Sequence, residues 1–142
     1  YYLMGKARLR QGQSAAALAS FRDALRRDPN DVQTLAYLAR VLAADENALV
    51  RNGPEAVVSA QRANELTGSG QAFLMATLAM AYAETGRFNE ATATIGKAIE
   101  LAAAAGDKEA VAELQSRLRR YQAGQPYREN FTNAPARISA PE

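Results

Sequence analysis

The 142-residue chain contains no cysteine, no histidine and no tryptophan. Without cysteine there are no disulfides and no thiolate metal sites, and the redox compartment is not encoded in the composition. Without histidine, the usual general base at neutral pH and the commonest metal ligand are both missing. The serines therefore have no imidazole to activate them. No apolar run approaches the roughly 18 to 20 residues a membrane-spanning helix requires, and no basic segment followed by an apolar stretch marks a signal peptide. Charge of one sign is also scarce. A formal net charge of +2 demands no polyanionic partner, although the pI near 9.1 leaves a mild cationic bias.

What the chain has in abundance is apolar residues, 48% of the total with 23% charged, and alanine supplies much of that share. This is ordinary for one globular domain and suits closely packed helices. The alanines also recur in order. Ala17, Phe21, Ala24 and Pro29 return as Ala56, Ala60, Ala63 and Gly68, then as Ala91, Ile95, Ala98 and Ala103, at steps of 39 and 35 residues. A unit this short cannot bury its own apolar face, so successive units must stack.

The first unit carries the fullest signature. Tyr1, Met4, Gly5 and Arg8 stand where the tetratricopeptide motif has Trp, Leu, Gly and Tyr, and Ala17, Phe21, Ala24 and Pro29 complete it. The chain thus resembles the tetratricopeptide repeat family, whose unit of roughly 34 residues is one helix pair. That resemblance implies an all-α, right-handed solenoid of three helix pairs with a capping helix behind them. Gly5, Ala17 and Ala24 are small where helices cross closely, and Met4 and Phe21 fill the space between.

Helical spacing and end signals place helices at about residues 1–11 and 14–27, with Gly12 at the turn and Pro29 as the stop. A third helix follows Asn30, which caps it while Gln33 reaches back, and Leu35, Leu38, Ala39 and Leu42 share one face. About five extra residues then fall between Asp45 and Gly53; they read either as one added helical turn on each side of the hairpin or as a recognition loop. The next helix restarts at Pro54, with Asn52 and Glu55 spaced as a capping box, and stops at Gly68. The third pair spans about 71–85 and 88–104. A last helix begins after the cap Asp107, with Val111, Leu114, Leu118 and Tyr121 on its apolar face and Lys108, Glu109, Glu113, Arg117, Arg119 and Arg120 elsewhere. This gives repeats at about 1–31, 32–70 and 72–105, a capping helix at 107–123, and a flexible tail over 130–142.

A narrower resemblance covers roughly residues 32–129. Arg51-Asn52-Gly53, Glu65-Leu66-Thr67-Gly68, Gly86-Arg87-Phe88 and Pro126-Tyr127-Arg128-Glu129 look like the closing segment of large bacterial tetratricopeptide-repeat proteins. In several of these the repeats follow a multi-span membrane region similar to glycosyltransferases that use lipid-linked sugars. The chain also begins at Tyr1, inside a helical pattern, which reads as a portion of a longer protein.

Nothing in the sequence assembles a catalytic set or a cofactor site. The pairs Asp45 with Glu46 and Glu109 with Glu113 read as solvated helix ends or faces, and Gly68-Ser69-Gly70 lacks the strand, lysine and spacing of a phosphate loop. The basic residues of the last helix complement its dipole, so no nucleic-acid partner is expected, and no membrane insertion of this segment either.

The family resemblance implies that the first helix of each pair lines a peptide-binding groove. Helical spacing then assigns Tyr2, Lys6, Leu9 and Arg10; Gln33, Ala36, Tyr37 and Arg40; and Phe73, Ala76, Thr77 and Met80 to its wall. An extended or helical peptide with an acidic residue and a bulky apolar anchor complements such a wall. The competing reading has these residues merely packing between helices or solubilising the surface. The family's carboxylate clamp, which needs Lys and Asn residues at set positions, is missing: those positions read Tyr2, Lys6, Tyr37, Phe73 and Thr77. The expectation is a non-catalytic protein-binding or scaffold module. Alternatives are self-association through the N-terminal helix, packing on an upstream domain, or an accessory role beside a membrane glycosyltransferase-like region.

Overall fold

The computed structural model describes residues 1–132, so of the expected tail over 130–142 the part from 133 onward lies outside the described residues. Seven helices follow in order: α1 Tyr2–Arg10, α2 Ser14–Arg27, α3 Val32–Ala44, α4 Gly53–Thr67, α5 Ala72–Glu84, α6 Phe88–Ala104 and α7 Lys108–Gln122. Each packs on its neighbour in sequence, and α3 also packs on α5, so the first helices of the second and third pairs lie side by side. Among the described residues there is no strand, only an isolated bridge between Asp45 and Glu129.

The repeated small residues explain the close packing. Ala17, Ala56 and Ala91 are fully buried, as are Phe21 and Ile95, and Ala60 stands at their position in the middle pair almost as deeply. A Cβ placed on Gly5 would overlap the Phe21 ring, so only glycine admits that ring between α1 and α2.

The outer pairs turn identically. Gly12, with φ +76°, and Gly86, with φ +79°, occupy the left-handed region that suits glycine. Around the first, Gly12 N donates to Leu9 O at 3.0 Å and Gln13 N to Arg8 O at 2.9 Å; around the second, Gly86 N donates to Ala83 O at 3.0 Å and Arg87 N to Tyr82 O at 2.9 Å. The same local sequence logic closes the same hydrogen bonds twice.

The middle pair differs, and two expectations are corrected there. The residues between α3 and α4 add no helical turns but form a loop from Asp45 to Asn52. Asp45 Oδ1 accepts from Asn47 N at 2.8 Å, Asn47 Oδ1 accepts from Leu49 N at 3.0 Å, and Asn52 N donates back to Leu42 O at 2.8 Å. These short polar side chains satisfy turn amides that a helix would otherwise recruit. The cap of α3 is Asp31 rather than Asn30, whose Oδ1 instead accepts from Arg62 Nη2 at 2.7 Å. At α4 only half of the expected box forms: Asn52 Oδ1 accepts from Glu55 N at 3.2 Å, but the Glu55 carboxylate meets the Asn52 side-chain Nδ2 at 3.3 Å, because the Asn52 backbone N already donates to Leu42 O.

Helix α7 buries Leu114 and Tyr121 and keeps Arg119 and Arg120 exposed. Its cap is Asp107, which accepts from Ala110 N at 3.0 Å. Arg117 is not on a solvated face. It is buried, with its guanidinium 4.2 Å from the centroid of the Tyr127 ring and Nε within 3.6 Å of Glu113.

Candidate functional site

The first helices of the three pairs bring five of the expected groove residues, Tyr2, Lys6, Tyr37, Arg40 and Phe73, into one row. On α1, Tyr2 is half-buried and Lys6 sits 5.3 Å over its ring. On α3, the Tyr37 ring meets Tyr2 edge-on at 5.8 Å, and Lys6 lies 5.4 Å from it as well. One turn further along, Arg40 stands 5.0 Å from Tyr37 and 5.3 Å from Phe73 of α5. Burial pushes the Tyr2 phenol up to about 12, with Tyr37 and Asp31 adding to the effect and Arg40 opposing it.

Other nominated residues lie differently. Arg10 is exposed and Gln33 is half-buried. Thr77 and Met80 are buried; the Thr77 hydroxyl bonds back to Phe73 O at 2.9 Å, and Met80 packs into the core with Leu9 and Leu42. Ala36 and Ala76 are buried as well.

A segment absent from the nominated set completes the site. After α7 the chain turns back over the row of odd-numbered helices. Arg128 Nη1 lies 2.7 Å from Glu84 Oε2 at the end of α5, and Glu129 N donates to Ala44 O at the end of α3 at 2.8 Å. The Glu129 carboxylate accepts from Arg40 Nη2 at 2.5 Å, and both side chains are nearly enclosed, at 13% and 7% exposure. Phe131 stacks 5.7 Å from the Arg40 guanidinium, and Thr132 lies beside Gly12 at the end of α1. Arg40 is thus neither a free groove charge nor a solubilising one. It is surrounded by three aromatic rings and one carboxylate, which together offset the cost of removing its charge from water.

Sequence spacing missed this segment because it has no helical period. Residues 127–129 fall within the expected domain without an assigned contact, and Phe131 falls within the expected tail.

Beside the segment lies a cavity of about 610 Å³, bounded by Ser14, Asp45, Asn47, Glu129, Phe131 and Thr132. Asp45 is buried rather than solvated: Ser14 Oγ donates to its Oδ2 at 2.5 Å. Among the described residues, no group of His, Cys, Asp or Glu is placed to hold a metal ion, and no helix is long and apolar enough to cross a membrane.

Stacked helix pairs whose first helices share one face of aromatic and cationic side chains define a helical-repeat protein. Residues 1–31 and 74–104 match the tetratricopeptide repeat, and the all-α fold is a helical solenoid of that type. Such repeats generally mediate protein–protein interaction and are typically non-catalytic. The two matched segments flank the stretch that carries the longer loop. No curated protein matches the chain.

Proposed function

We propose that this chain is a non-catalytic interaction module that holds a peptide or partner segment against the face of α1, α3 and α5. The observation that carries the reading is the continuous row Lys6, Tyr2, Tyr37, Arg40 and Phe73, in which each cation contacts at least two rings. Rigid, packed aromatics offer contact area at small ordering cost, and the cations select a carboxylate-bearing partner. Of the groove residues named from sequence, Tyr2, Lys6, Arg10, Gln33, Tyr37, Arg40 and Phe73 form the proposed wall, with Arg10 as the exposed cation at its rim, while Thr77 and Met80 are buried behind it.

The test is fluorescence polarisation with a panel of acidic peptides carrying one aromatic residue. Replacing Lys6 and Arg10 together by Glu should weaken the best of them at least tenfold with melting unchanged. Equal affinity for both proteins would remove the groove reading.

Self-association is a second reading, favoured by Tyr1, Leu3 and Met4, which stand 50%, 74% and 47% exposed on one end of α1. Sedimentation across a concentration series should then show a dimer that Leu3→Glu abolishes; a monomer throughout would end that reading. The narrower likeness to proteins with a glycosyltransferase-like membrane region rests on resemblance alone, and the sequence encoded ahead of residue 1 tests it.

A further inference from the structure

We propose that residues 127–131 act as an internal ligand of the groove, and that the external partner is an extended peptide with a carboxylate two residues ahead of an aromatic ring. The inference rests on the groove reading above and names its ligand.

The segment Tyr127-Arg128-Glu129-Asn130-Phe131 has the chemistry that the face of α1, α3 and α5 is built to hold. Glu129 supplies the carboxylate to Arg40 at 2.5 Å, and Phe131, two residues on, supplies the third ring around that guanidinium. The backbone approach is that of an added extended segment: Glu129 N donates to Ala44 O at 2.8 Å, and Glu129 bridges in parallel to Asp45. These contacts are made through two side chains and a backbone amide that a separate peptide could equally bring.

Two features mark the internal ligand as replaceable. Glu129 Oε1 is buried with no hydrogen-bond partner, so the segment leaves half of its own carboxylate unsatisfied. The cavity of about 610 Å³ runs alongside Glu129, Phe131 and Thr132, leaving room for a bulkier or longer occupant that packs it and pairs both carboxylate oxygens. A ligand already tethered to the chain competes at high effective concentration, so it sets a threshold that only a better-fitting partner passes. The face is then closed by default and opens to a peptide of the same pattern.

The probe is a synthetic copy of residues 125–132, Gln-Pro-Tyr-Arg-Glu-Asn-Phe-Thr, labelled at its N-terminus. The full chain carrying Glu129→Gln and Phe131→Ala should bind it at least tenfold more tightly than the wild type, with helicity by circular dichroism unchanged. Peptides with Glu replaced by Gln, or Phe by Ala, should lose that binding tenfold. A complementary readout uses the wild-type chain alone: excess peptide should speed hydrogen exchange at the Glu129 amide. Equal affinity for wild type and variant, or unchanged Glu129 protection under saturating peptide, would overturn the internal-ligand inference and leave the groove reading standing. No binding of any peptide to either protein would remove both.

Discussion

Arg51 Nε donates to Glu84 Oε1 at 3.1 Å, tying the loop between α3 and α4 to the end of α5. The same guanidinium donates through Nη1 to Asp45 O at 2.7 Å and Glu46 O at 3.2 Å, so one side chain braces both the start of the loop and the next repeat. Glu84 also faces Arg128 of the returning segment. Arg51→Ala would leave Glu84 largely buried with one cation fewer, and we expect a loss of about 1.5–3 kcal/mol, the range for hydrogen bonds to charged groups. Chemical denaturation would check this, with a midpoint equal to wild type counting against the brace.

Gly5 and Phe21 make a second test. Since a Cβ on Gly5 would overlap the ring, Gly5→Ala should destabilise by about 1–3 kcal/mol through overpacking despite the better helix propensity of alanine. Adding Phe21→Leu should recover part of that loss, because the smaller side chain vacates the overlapped space. Additive destabilisation in the double variant would show that the two positions do not compete for room.

Asn64 is buried, and its Nδ2 donates to Ala60 O in its own helix and to Leu74 O of α5, both at 2.9 Å. Asn64→Ala should cost about 1–3 kcal/mol by leaving Leu74 O without this donor and opening a gap. Asn64→Asp should cost more at neutral pH, where a carboxylate would face two carbonyl oxygens, and less near pH ~4, where the group is largely protonated. Thermal melting at both pH values gives the sign, and a stability for Asn64→Asp that is independent of pH would rule out the buried contact.

Burial raises the phenols of Tyr2, Tyr121 and Tyr127 above the ordinary range, that of Tyr2 to about 12. Above pH ~10 an unfolded chain loses phenolic protons that the folded chain retains, so stability is fully present below that value and falls as pH rises toward the folded pKa values. Spectrophotometric titration should show a late-ionising tyrosine population whose ionisation accompanies loss of helicity. Six tyrosines titrating together near 10 with helices intact would contradict it.

Local rules made much of this molecule legible in its sequence. Glycines at positive φ closed the outer turns, Asp107 and Asn52 capped their helices, and the small residues at Ala17, Ala56 and Ala91 marked the crossings, because each effect acts over a few residues or repeats at a fixed step. The row of Tyr2, Lys6, Tyr37, Arg40 and Phe73 could likewise be nominated from helical spacing once first helices were taken to share a face.

What lay beyond one helix was not legible. The exposure of Arg117 and Asp45 was misread because their burial comes from Tyr127 and Ser14, each on a different element. Phe131 packs on Arg40 where only a tail was expected, since an extended segment has no period to announce its destination. Sequence alone determined the helices, the two outer turns and the order of the pairs, through short-range sterics and hydrogen bonds. Only the tertiary structure decided that Arg40 meets Glu129, because a contact across 89 residues exists only after the repeats have stacked and brought both ends to one face.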